Sequence, residues 1–362
     1  MLLLALSAAC TDRPAPEPRE GGADLETEVE DYLTTVDPDG QVSAVLVRHQ
    51  DEVVLERYVG AEPADYWDLQ SVTKSIVSAL VGIAIGSGAI DSVDQTLGEL
   101  LPAGSRMSPD VAALTLRELL THTAGLPPPG APGADYFLRG DWVRAILGDR
   151  SAEGAADGSF AYSNAGAHLV AAVLEEATGR SVLDYARENL FDPLGIPSRP
   201  AFEQSIDVES QAELERLYAP YYEADFTWPV DPQGLHDGAC CLKLRPQDLD
   251  SIGRLFLDGG QWDGEQVVPA DWVQESTTSQ VELSGPDDGY GYLWWTTTAD
   301  DEPAYYAFGS GGQLIEVVPS RDLVVVVVTE LDRRDPMSET KTFGQDSATD
   351  LVDLVIAGHF AR

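Results

Sequence analysis

The strongest periodic signal in the chain is a run with almost no polar face. Ile76, Val77, Leu80, Val81, Ile83 and Ala84 recur at helical spacing on every side, which predicts a helix buried all round. Upstream the texture is that of strands. Val42, Ala44 and Leu46 alternate with Ser43, Val45 and Val47, and after the polar break at Gln50-Asp51 a second run covers 53–59, so the pair reads as an antiparallel hairpin. Near the other end, 289–297, 304–308, Gln313–Val318 and Leu323–Thr329 also read as strands, the last two joined by a turn at Pro319-Ser320-Arg321-Asp322. Residues 323–328 are apolar throughout, as a central strand covered on both faces would be. Residues 346–360 have helical spacing at Leu351, Leu354 and Val355. Between these ends, 114–121, 142–147, 166–178, 182–190 and Pro246–Leu257 read as helices separated by loops rich in Pro and Gly.

Strands at both ends with helices between them predict an α+β fold. An antiparallel sheet is built from both chain ends and flanked by helices, with a mainly helical region inserted. The expected division is 1–24 as leader and tether, 25–70 with 286–362 as the sheet-containing part, and 71–285 as the helical part. The cleft between the two parts is the natural place for a site. The buried helix begins at that junction.

Charge narrows the partners. The 362 residues carry 62 acidic against 22 basic side chains, a formal charge of −40, which argues against nucleic acid or an anionic membrane surface as a direct partner. Lysine occurs only at 74, 243 and 341, so a lysine in a special position is informative. The first ten residues form a short apolar run ending in small residues before Cys10. This resembles a lipoprotein export signal with Cys10 as the lipidated residue, and it is far shorter than the ~20 residues a spanning helix needs. The run lacks a preceding basic residue and its leucine sits four places before the cysteine, so an ordinary secretory cleavage is the alternative. Residues 11–24, with Pro14, Pro16, Pro18, Gly21 and Gly22, read as a tether. The expected location is therefore outside the cytoplasm, with membrane contact only through a lipid at Cys10.

The chemistry concentrates at Ser71-Val72-Thr73-Lys74. A serine and a lysine three positions apart share one helix face, and a serine heading the buried helix meets unpaired amides and a dipole that favour developing negative charge. The same spacing recurs at Ser338-Glu339-Thr340-Lys341, in a polar stretch with no apolar helix behind it, and there it reads as a solvated loop. Tyr162-Ser163-Asn164 precedes a second amphipathic helix. A phenol near an ammonium can take and return a proton, and Asn164 can hold the lysine or a substrate carbonyl. The plain alternative is a packed tyrosine and a helix-capping asparagine. Between two strands lies Phe308-Gly309-Ser310-Gly311-Gly312-Gln313. Its glycines admit a substrate to a strand edge, and the N–H of Gly312 or Gln313 can pair with that of Ser71 as an oxyanion hole. Without such context it reads as a turn or bulge.

In this order, Ser71-x-x-Lys74, Tyr162-x-Asn164 and a glycine-rich strand resemble the serine β-lactamase and penicillin-binding-protein superfamily, in its class C β-lactamase-like branch. That branch includes esterases, D-aminopeptidase-like and D-alanyl-D-alanine carboxypeptidase-like enzymes and 6-aminohexanoate-dimer hydrolases. The likeness extends to Leu116-Arg117-Glu118-Leu119-Leu120-Thr121-His122-Thr123-Ala124-Gly125-Leu126, to Asp192-Pro193-Leu194-Gly195-Ile196 and to Tyr290-Gly291-Tyr292-Leu293-Trp294-Trp295, and it covers the chain from Val42 onward. It implies that Ser71 attacks a carbonyl to give an acyl-enzyme while Lys74 and Tyr162 share the proton. It also implies that Asn164, Ser310, Gly311, Gly312 and Gln313 touch substrate. Penicillin-recognising members usually open the third motif with a cation. Phe308, Gly309 and Ser310 offer none, which favours an ester or amide substrate over a β-lactam or peptidoglycan. A catalytically idle surface protein that binds a peptide or cell-wall fragment is the reading from another class. No cofactor or metal is expected, since His49, His122, His168, His236 and His359 lack paired ligand spacing. Within the resemblance, His122 falls in a segment with a structural hydrogen-bonding role. Adjacent Cys240 and Cys241 either close a vicinal disulfide or remain thiols.

Overall fold

A computed structural model of the chain describes residues 24–38, 40–102, 105–131, 133–148, 158–208, 210, 213, 220–283, 288–330 and 345–360. The leader with Cys10, nearly all of the tether, and the second Ser-x-x-Lys at Ser338 lie outside the described residues. Helix α1 (Leu25–Val36) leads into the hairpin β1 (Val42–His49) and β2 (Glu52–Tyr58). The buried helix is α2 (Val72–Gly86), and every residue from Val72 to Ala84 is shielded from solvent. Helices α3 (Asn164–Thr178) and α4 (Pro246–Leu257) follow among shorter helical turns. The chain then lays down β3 (Val281–Glu282), β4 (Gly289–Tyr290), β5 (Trp295–Ala299), β6 (Glu302–Gly309), β7 (Gln313–Val318) and β8 (Leu323–Thr329), and closes with α5 (Gln345–Val355).

The eight strands form one antiparallel sheet in the order β2-β1-β8-β7-β6-β5-β4-β3. Strand β8 joins the two chain ends, with Val326 opposite Leu46 on β1 and Ile315 on β7. Its uninterrupted apolar sequence has a simple cause. Val324, Val326 and Val328 pack into the core shared with α2, α3 and α4, while Leu323, Val325 and Val327 pack into a second core under α1 and α5.

Three departures from the sequence pattern have physical reasons. The single strand expected at 289–297 breaks into β4 and β5 because Leu293 takes a left-handed conformation (φ 60°). The bulged segment is tied to the helical part, with Tyr292 N donating to Ser276 O (2.9 Å), Leu293 N to Leu120 O (3.0 Å), and Ser75 Oγ on α2 to Leu293 O (2.7 Å). Helix α1 buries only Val29 and Leu33, too thin a stripe to read from sequence, and Asp24 caps it by accepting from Thr27 N (3.0 Å). Trp67–Asp68, too short to leave a strand pattern in the sequence, forms a two-residue strand paired with Lys243–Leu244.

Glu316 on β7 is buried within the layer beneath α5. Burial, and then the charge of Asp353, push its carboxyl well above the ordinary 4.5. A raised carboxyl contributes most to stability while both states are protonated, below 4.5, and that contribution is lost as pH rises toward its folded-state value. Glu316→Gln is therefore expected to melt higher than wild type at neutral pH, by roughly 1–3 kcal/mol. The gain should vanish in acid, as a series of thermal melts across pH would show.

Candidate active site

Ser71 immediately precedes the first residue of α2, with φ −72° and ψ −7°, and its side chain makes no capping bond. Its hydroxyl is left for other chemistry. The three amides that follow are committed, Val72 N to Leu69 O, Thr73 N to Gln70 O and Lys74 N to Ser71 O, whereas the Ser71 N–H makes no hydrogen bond among the described residues. A free amide at a helix start suits an oxyanion. The turn into Ser71 is held by force of hydrogen bonds. Gln70 adopts a left-handed φ of 49°, uncommon for a non-glycine residue. Buried Asp68 secures it twice, accepting from Gln70 N (2.9 Å) and from Gln70 Nε2 (2.7 Å). Burial pushes the Asp68 carboxyl upward against the lowering pull of these bonds.

Lys74 is 1 % exposed, and its Nζ has three neutral acceptors: Ser71 Oγ at 3.0 Å, Asn164 Oδ1 at 2.9 Å and the Ala239 carbonyl at 2.6 Å. Three acceptors match the three hydrogens of an ammonium. Ser163, not Asn164, caps α3 by accepting from Gly166 N, so the amide of Asn164 is available to Lys74.

Tyr162 reaches the same place from the loop before α3. The Lys74 ammonium lies 4.9 Å from the centre of its ring. The phenol hydroxyl makes no hydrogen bond to Ser71 or Lys74 among the described residues, so it is the ring face that meets the cation. That placement follows from the neighbours of the ring. His122 packs against it at 4.6 Å and Trp295 stacks nearly parallel at 5.9 Å. His122 also fixes the backbone on either side, with its carbonyl accepting from Ala161 N (2.8 Å) and its Nδ1 from Ser163 N (3.3 Å). Burial, then the Lys74 charge, hold the imidazole well below its ordinary value, so it is neutral and structural.

The glycine-rich segment forms the hairpin between β6 and β7. A Cβ on Gly309 would overlap the Leu69 carbonyl oxygen and lie 3.0 Å from Gln70 Cβ, so only glycine lets β6 approach the turn into Ser71. Gly309→Ala is expected to lower stability by about 1–3 kcal/mol in urea denaturation, since backbone has to move to admit the methyl. Ser310 is exposed in the turn, and Gly311 and Gly312 take φ of 90° and 100°. Two expected substrate contacts have other work here. The Gly312 N–H donates to Gly309 O (3.1 Å), which removes it from an oxyanion hole. The Gln313 side chain is buried and fully paired with Thr329, donating to its carbonyl (2.9 Å) and hydroxyl (2.8 Å) and accepting from its N–H (3.2 Å).

Several contributors carried no signal in the sequence. Asp68 lies in no periodic segment, and Ala239 acts through a backbone carbonyl that any residue possesses. Cys240 and Cys241, beside Ala239, are joined as a vicinal disulfide.

A serine heading a buried helix, a lysine one turn along on its hydroxyl, and an antiparallel sheet closing over both define a serine hydrolase of ester or amide bonds. The beta-lactamase family model matches residues 34–348, and the chain belongs to that family. The 6-aminohexanoate-dimer hydrolase of Paenarthrobacter ureafaciens is 26 % identical over 327 residues, covering 84 % of this chain and 74 % of the relative. Penicillin-binding protein 4 of Amycolatopsis lactamdurans is 26 % identical over 285 residues, covering 72 % and 70 %. Among solved structures, EstCE1, a hydrolase with promiscuous acyltransferase activity, superposes with a TM-score of 0.67 at 17 % identity over 91 % of this chain and 98 % of its own.

Proposed function

We propose that the protein hydrolyses a small ester or amide through an acyl-enzyme on Ser71, with Lys74 and Tyr162 sharing the proton. The observation that carries this reading is the 3.0 Å contact of Lys74 Nζ with Ser71 Oγ at the start of α2. In the forward step the Lys74–Tyr162 pair enters one proton short of an ammonium plus a phenol; Ser71 Oγ attacks the substrate carbonyl, its proton fills that place on the pair, and the carbonyl oxygen, now negative, is held by the Ser71 N–H. The leaving group takes the proton as the C–O or C–N bond breaks. Water then adds to the acyl carbon by the same route and restores the hydroxyl. Lys74 meets the Tyr162 ring and not its hydroxyl, so the step requires the ring to shift toward the serine, and catalytic hydrogen bonds often tighten only with substrate bound. Asn164 holds Lys74 in place.

Two features favour an uncharged acyl donor. The segment 308–310 carries no cation for a substrate carboxylate, and the flank beyond Tyr162 is aromatic, with Trp295 stacked on Tyr162 and nearly parallel to Tyr306 at 6.1 Å. The likeness to a 6-aminohexanoate-dimer hydrolase agrees with an ester or amide substrate. The likeness to penicillin-binding protein 4 supports a second reading, cleavage of a β-lactam or of a D-alanyl peptide. A catalytically idle binding role fits less well with a complete Ser71, Lys74 and Tyr162 set. Export on a leader with a lipid at Cys10 is proposed from the sequence alone. A screen of short p-nitrophenyl esters and amides, nitrocefin and D-alanyl dipeptides tests the assignment. Preferential turnover of the esters or amides supports it, and a folded protein inert to every acyl donor overturns it.

A further inference from the structure

We propose that His168 and Asp237 are positioning residues, a buried pair that presses the Ala239 carbonyl onto Lys74 and so sets the lysine for proton transfer. The inference rests on the hydrolase reading above. The contact to Ala239 is the shortest that Lys74 makes, 2.6 Å, and Ala239 lies on a strap, residues 237–242, that crosses both α2 and α3. The amide of that same residue is fixed by Asp237, whose Oδ1 accepts from Ala239 N at 2.8 Å. That bond anchors the 238–239 peptide plane, from which the Ala239 carbonyl is one ψ rotation away, so it limits where the carbonyl can sit. Asp237 is itself 5 % exposed, its N–H donates to Pro229 O (2.9 Å), and its carbonyl accepts from Trp228 Nε1 (2.8 Å).

His168 supplies the charge partner. It is wholly buried on α3, four residues after Asn164, so one face of one helix holds Lys74 directly through Asn164 and indirectly through the strap. Its Nδ1 is 3.6 Å from Asp237 Oδ1, an ion-pair distance just past hydrogen-bond reach, and its Nε2 is 3.4 Å from Asp231 Oδ2. Asp231 is anchored in turn, accepting from Gln233 N (2.8 Å) and Leu235 N (3.0 Å). Burial alone would lower the imidazole, but the two carboxylates outweigh it and raise it above 6.5.

The strap is seated tightly. A Cβ on Gly238 would overlap the Ala167 carbonyl and lie 2.9 Å from Ala171 Cβ, so the strap touches the α3 backbone. Its far end is tied down by Leu242 N on Thr73 Oγ1 (3.2 Å) and by Tyr221 OH on Cys241 O (3.0 Å). Apolar side chains hold such a loop at least as well as two buried carboxylates around an imidazole, which must be stripped of water to sit there. What they cannot do is aim a peptide dipole at a cation.

The test uses the full chain with two near-isosteric variants, Asp237→Asn and His168→Asn, assayed on the best p-nitrophenyl ester and normalised to active sites titrated with a fluorophosphonate. The expected result is a kcat lower by about tenfold to a hundredfold with KM within about threefold. Unchanged kcat and KM per titrated site, even with a lower melting temperature, would make the pair purely structural and overturn the inference. Failure of both variants to fold would assign the pair to the scaffold and equally overturn it. A wild-type enzyme without turnover sinks the hydrolase reading instead, so the two failures are distinguishable.

Discussion

Replacing Ser71 by alanine is expected to remove turnover of every acyl donor the wild type accepts, with kcat falling by about 10^4-fold or more. The hydroxyl makes no capping bond, and its one hydrogen bond among the described residues is the one it accepts from Lys74. The substitution therefore takes away the nucleophile and little else. Thermal melting within about 1 kcal/mol of wild type, together with lost activity, is the expected pair of readings. Substantial residual turnover by the same route would move the nucleophile elsewhere.

Lys74→Met carries the second large effect. A methionine fills the volume of the buried chain but cannot meet the Ser71 hydroxyl, the Asn164 amide oxygen and the Ala239 carbonyl together. The expected loss is about 10^3-fold or more in kcat with KM little changed, since the amine acts on the reacting hydroxyl and not on substrate binding. Lys74→Arg should not restore it. A planar guanidinium neither fits three acceptors around one nitrogen nor gives up its proton. Steady-state kinetics on one ester with both variants checks this, and recovery in the arginine variant would mean that only a positive charge is needed.

Much of this arrangement was legible because it depends on pattern and type. The apolar run behind Ser71 predicted α2, and the alternation at 42–47 and the unbroken apolar run 323–328 predicted the strands that join the chain ends, since one-sided burial leaves a period of two and two-sided burial an apolar run. Ser71, Lys74, Tyr162 and Asn164 were visible as chemistry-bearing side chains at suggestive spacing. What escaped has no period and no distinctive type. Ala239 contributes a carbonyl, Asp68 and Asp237 act by holding neighbouring amides, and the break at Leu293 depends on a left-handed residue that no rule assigns to leucine. Gln313 is less legible: a polar residue in a glycine-rich turn reads as a substrate contact, while its side chain is paired with Thr329.

The central claim is that one serine oxygen, and no other, is activated by a lysine. Incubating the wild-type protein with a fluorophosphonate and mapping the adduct by peptide mass spectrometry tests it most directly. The account predicts a single modified residue, Ser71, with labelling slowed in Lys74→Met. An adduct on Ser163, Ser310 or another hydroxyl, with Ser71 untouched, would contradict it.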